Sequence, residues 1–136
     1  MTVSKVLILI IVFLNTFFSV YSQENIPFKS SHIKNKSDLK FAKNEIKKGD
    51  EFFYNARNAL YQLENTFDFF EKALYHYFLA YKINQNNVEL NFKIGEALFH
   101  TTRMNEANFY LTKAISSSNE LEDYEFYLDA LKSKLD

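Results

Sequence analysis

The chain has 136 residues, 47% of them hydrophobic, a formal net charge of −1 at pH 7 and no cysteine. That length suits one domain of ordinary size; the near-neutral charge gives no large basic field for nucleic acid, and the missing thiols exclude a disulfide framework, a thiolate metal site and a lipid-anchored cysteine. Two glycines and one proline argue against barrels and sandwiches and for a nearly continuous run of helices.

Residues 1–22 read as an export signal: Lys5 supplies the positive start, residues 6–20 the apolar run, and Ser22 a small residue at the expected cleavage point. An uncleaved membrane anchor is the alternative. A 15-residue helix spans roughly 22 Å against roughly 30 Å of hydrocarbon, and this run is interrupted by Asn15 and Thr16. Residues 23–36 have no helical period, hold the only proline, and are polar apart from Ile26, Phe28 and Ile33, so they read as a linker or disordered arm with an exposed His32.

Ser37 is the expected N-cap of a first helix carrying Phe41/Ala42, Ile46, Gly49, Phe52/Phe53, Ala56, Ala59/Leu60 and Leu63 at steps of three and four. A turn near residues 64–66, with Asn65 as cap, leads to a second helix over about residues 66–83 with Phe67, Phe70, Ala73/Leu74, Tyr77/Phe78 and Ala80/Tyr81. So many rings offer a stacking surface for sugars or bases, or else they fill the gaps beside alanine and glycine; because they follow the helical stripe, gap filling is the expectation. His76 falls on a flank, as a surface or hydrogen-bonded residue.

The polar turn in NQNNVELNFKIGEALF, residues 84–99, starts a third helix, with Asn86 and Glu89 spaced as a capping box. Glu96 and His100 share one face four residues apart, but two ligands without a third do not hold zinc, so a solvated Glu–His pair is expected. No HExxH, GxSxG or glycine-rich phosphate loop occurs. The reading is therefore of a non-enzyme with no metal and no cofactor. A fourth helix carries Met104, Ala107, Tyr110/Leu111 and Ala114/Ile115 and ends in the serines at 116–118. A last helix over residues 120–135, with Leu121, Tyr124, Leu128, Leu131 and Leu135 on one side, reads as a capping helix or a partial third repeat.

Ala73 and Ala80 recur 34 residues later as Ala107 and Ala114. With Gly95 as the small residue of the facing helix, Ile94 and Leu98 beside it, and Leu111 between the later alanines, this resembles the tetratricopeptide family. Asn91 and Asn119 stand where that family's tryptophan-type and proline positions fall. Gly49 lies twelve residues further from Ala73 than Gly95 does from Ala107, so longer helices are expected in the first unit.

The resemblance implies an all-α fold of antiparallel helix pairs stacked as a short right-handed array: repeat one over residues 37–84, repeat two over 86–118, and a cap over 119–136. It also implies a concave groove lined by Lys43, Ile46, Asp50, Phe53, Glu89, Phe92, Lys93, Glu96 and Phe99, suited to a peptide or helix of a partner protein. Lys113 is expected to face away from it. The family's carboxylate clamp is not carried over, because Ile46 and Asp50 stand at its lysine and asparagine positions.

Residues 42–114 also resemble the tetratricopeptide segment near the N-terminus of large envelope proteins that continue into a β-propeller and an OmpA-like domain. That likeness implies a periplasmic or outer-membrane-associated setting and no membrane span after signal removal. The functional expectation is an exported scaffold for protein–protein interaction. The alternatives are a module binding glycan or peptidoglycan fragments, and a truncated remnant of a larger protein.

Overall fold

The computed structural model describes residues 24–61 and 65–117. The expected signal peptide, the C-terminal helix, Leu63 and the start of the first turn lie outside these residues. Within them the fold is all-helical: α1 (Lys36–Tyr61), α2 (Phe67–Tyr81), α3 (Val88–His100) and α4 (Met104–Ser116). None of these helices is long and apolar enough to cross a membrane.

Helix α1 begins at Lys36, one residue before the expected cap. The capping side chain is that of Asn35, whose Oδ1 accepts from the Ser37 N–H at 3.0 Å, so Ser37 sits inside the first turn. Its buried positions Ala42, Glu45, Gly49, Phe53, Ala56 and Ala59 recur every three or four residues and form one face. That face meets α2, which buries Phe70, Ala73, Leu74, Tyr77 and Ala80. Phe53 reaches Phe70 near the start of α2, whereas Glu45 reaches His76 near its end, so the two helices are antiparallel. Asn65 contributes at the start of α2 as expected, its Oδ1 accepting from the Phe67 N–H.

The cap of α3 is Asn87, one residue later than the expected Asn86. Its backbone is extended (φ −82°, ψ 119°) and its side chain accepts from the Leu90 N–H at 2.9 Å. Glu89 does not close a capping box; its carboxylate pairs with Lys93 one turn on, at 2.7 Å. Nine residues of α3 are buried, Lys93 and Glu96 among them. Such all-round burial marks a central helix, and α3 packs on both α2 and α4.

Between α3 and α4 the chain turns at Thr102, whose φ of 63° lies in the left-handed region. The Thr102 N–H donates to the Phe99 carbonyl and the Arg103 N–H to that of Leu98, the paired closure that usually places glycine at this position.

One contact is made twice. A Cβ on Gly49 would lie 2.5 Å from the Tyr77 ring, and one on Gly95 would lie 2.5 Å from Leu111 Cγ. Tyr77 and Leu111 are 34 residues apart, each between two buried alanines on the second helix of its pair. Alternate helices run parallel. Asp50 and Arg57 of α1 meet Lys93 and Glu96 of α3, and Glu71, Phe78 and Tyr81 of α2 meet Arg103, Tyr110 and Lys113 of α4.

Candidate functional site

The nine residues expected to line a groove divide by burial. Phe53 is a core residue, packed edge-on against Phe70 and Tyr77. Glu96 is fully buried, its Oε1 2.9 Å from Arg57 Nε. Lys93 is 7% exposed. Lys43 and Glu89 are exposed, while Ile46, Asp50, Phe92 and Phe99 are half-buried, so only these six present a surface among the nine.

Lys93, Asp50 and Glu89 come together with Tyr77 in one network. Asp50 Oδ1 accepts from the Tyr77 hydroxyl at 2.7 Å and from Lys93 Nζ at 2.9 Å, and Nζ also reaches Glu89 Oε1 at 2.7 Å. Burial pulls the Lys93 pKa down, but the bonds to Glu89 and Asp50 outweigh it and hold the ammonium above its ordinary range. Burial, and then the bond to Asp50, pushes the Tyr77 phenol up. These bonds tie α1, α2 and α3 together.

The expected linker is docked. The Ile26 N–H donates to the Asn86 carbonyl at 2.9 Å, and its carbonyl accepts from Asn84 Nδ2 at 2.6 Å and Asn87 Nδ2 at 3.3 Å. Asn25 Oδ1 takes the N–H of Val88 at the start of α3, and Phe28 packs against the core. Residues 25–28 thus lie on the turn between α2 and α3. Beside them is a cavity of about 220 Å³ bounded by Pro27, Phe28 and Lys29 on one side and by Ile46, Asn87, Glu89, Leu90 and Lys93 on the other.

Two other expectations change. Glu96 and His100 are not a solvated pair, since Glu96 is buried against Arg57 and His100 stacks on Phe70 at 4.6 Å. Lys113 lies on the side of the second helices, where its Nζ donates to the Tyr81 hydroxyl of α2 at 3.1 Å and lies over that ring. The rings of α2 only partly fill gaps, because Phe70 and Tyr77 are buried whereas Tyr75 is 64% exposed. His76 is hydrogen-bonded as expected, its Nδ1 2.7 Å from Glu45 Oε2, and it stacks on Phe52.

Sequence reasoning missed Arg57 and the asparagines of the turn as site residues. The run NQNN at 84–87 did carry a signal: a carboxamide both donates and accepts, so clustered asparagines can hold another segment's backbone as well as make a turn. Among the described residues, no group of three His, Asp or Glu side chains could hold a metal ion. Compared with family models, curated proteins and solved structures, the chain gives no match.

Proposed function

We propose that this chain is a tetratricopeptide-like scaffold, exported to the cell envelope, that holds an extended peptide segment of a partner protein along α1 and α3. The observation that carries the reading is the duplicated contact of Gly49 on Tyr77 and Gly95 on Leu111. With it goes the parallel course of alternate helices, which sets the first helix of each pair side by side on one face. On that face Lys43, Ile46, Asp50 and Glu89 offer charge of both signs around an apolar residue, a surface that suits a peptide better than a polyanion. The export part of the reading is supported by Lys5 and the apolar run that follows it.

Site-specific photocross-linking in the native envelope tests this. A cross-linker at Lys43 or Glu89 should give discrete protein adducts, and one at the exposed Thr112 of α4 should not. Adducts from position 112 alone would sink the groove reading.

A second reading, binding of a glycan or peptidoglycan fragment, is favoured by the exposed rings of Phe41, Tyr54, Phe67, Tyr75 and Phe109. Titration of purified protein with soluble peptidoglycan fragments discriminates: under this reading Tyr54→Ala and Tyr75→Ala weaken binding and the Lys43 cross-linker captures no protein.

A further inference from the structure

Charge is segregated along this chain in a way that its net value of −1 conceals. Residues 29–48 hold seven lysines against Asp38 and Glu45, and Glu45 is buried with Lys48 and His76 on its carboxylate. Residues 119–130 hold Glu120, Glu122, Asp123, Glu125 and Asp129 and no lysine or arginine. The formal charges of the two blocks are therefore +5 and −5, which leaves −1 for the rest of the chain.

The basic block is displayed on one helix face. Lys36, Lys40, Lys43 and Lys47 of α1 follow one another at steps of four, three and four, so their side chains leave the helix on one side, opposite the buried Ala42, Glu45 and Gly49. All four are exposed, and the stripe ends one turn on at Glu51. Among the described residues the ion-paired cations are Lys48, Arg57, His76, Lys93 and Arg103, and none of the four lysines joins them. Like charges one turn apart repel, so this stripe costs α1 stability for as long as nothing neutralises it.

The two blocks belong to opposite ends of the stack. Packing runs from α1 to α2, from α2 to α3 and from α3 to α4. Helix α1, which carries the lysines, is the first layer, and the acidic block follows α4, the last. Complementary charge at the two ends of a linear stack is satisfied between copies, through a head-to-tail contact that steers their approach and fixes their order.

We propose that the lysine face of α1 binds residues 119–130 of a second copy of this chain, so that copies join head to tail. The inference goes beyond the scaffold reading and does not depend on it. Lys43 is common to the stripe and to the groove, so the test leaves Lys43 unchanged.

Sedimentation velocity of the purified chain over a concentration series reads the association. At about 0.01 M salt, where the Debye length is roughly 30 Å, the chain should associate with rising concentration; at about 1 M salt, where it is roughly 3 Å, the chain should sediment as a monomer. One variant carries Lys36→Glu, Lys40→Glu and Lys47→Glu, and another carries Glu122→Lys, Asp123→Lys and Glu125→Lys. Each alone should raise the dissociation constant by about tenfold or more, because attraction at the contact becomes repulsion. Mixed in equal amounts, the two should associate again, since the reversed face of one variant meets the reversed block of the other.

A native chain that stays monomeric at low salt overturns the proposal, and this is the result if residues 119–130 pair with α1 of their own chain. Association that survives either charge reversal overturns it as well; if only the lysine variant loses association, the face serves some other anion. A mixture that fails to restore what each variant lost has the same force. Should circular dichroism show a reversed variant unfolded, glutamine at the same positions replaces it, and unchanged association of that folded chain overturns the proposal.

Discussion

Thr102 is a branched residue in a backbone conformation that glycine adopts freely, with φ at 63° and its side chain exposed. A left-handed L-residue costs roughly 1–2 kcal/mol, and glycine returns roughly 0.5–1 kcal/mol of that through its freer unfolded chain. Thr102→Gly should therefore stabilise the protein by about 0.5–1 kcal/mol, read as a higher urea midpoint with an unchanged m-value. Glu45 acts in the opposite sense. Its carboxylate accepts from Lys48 and then from His76, and both bonds hold its pKa below the ordinary 4.5. A carboxyl with a depressed folded pKa adds stability above its unfolded pKa and loses it as pH falls through the folded value. Glu45→Gln should lower stability at neutral pH by ~1 kcal/mol and flatten the stability profile below pH 4.5, as followed by thermal melts across pH. An acid limb of unchanged slope would show that the pair is broken in solution.

Between elements the decisive contacts are those of the two glycines. At Gly95 an added methyl meets Leu111 at 2.5 Å from Cγ and 3.1 Å from the backbone nitrogen, so α4 itself would have to move. Alanine's better helix propensity is worth roughly 0.5–1 kcal/mol, less than the roughly 1–3 kcal/mol of overpacking. Gly95→Ala should thus destabilise despite that propensity gain, by roughly 1–2 kcal/mol in urea melts; a stabilised variant would mean that α3 and α4 pack less closely. Most of this level was legible beforehand. Ala73, Ala80, Ala107 and Ala114 are all fully buried, because small residues two helical turns apart return to the same face whatever the helix then packs on. The caps were legible only approximately. Asn35 and Asn87 took the positions expected of Ser37 and Asn86, since neighbouring polar residues cap almost equally well and the packing of the helix selects among them.

Across the whole molecule, Lys93 is the joint. Its ammonium holds Asp50 of α1, which in turn accepts from Tyr77 of α2, so loss of the charge reaches both helix pairs. Lys93→Ala leaves Asp50 with Tyr77 alone; because that carboxylate is 27% exposed, water offsets part of the loss and the cost should be about 1–3 kcal/mol. Unfolding followed by far-ultraviolet circular dichroism and by tyrosine fluorescence should stay a single coincident transition at a lower midpoint, whereas separated transitions would show that the pairs unfold independently. The sequence by itself determined the helices, the faces they bury and the spacing of 34 between Tyr77 and Leu111, because helical periodicity is set by local covalent geometry. Only the tertiary structure decided that Glu96 is buried against Arg57, that Lys93 is held between two carboxylates, and that Ile26 lies on asparagines about 60 positions away. A charged or amide side chain has the same local pattern on a solvent face as at a joint. Which of the two it occupies depends on what another part of the chain brings to it.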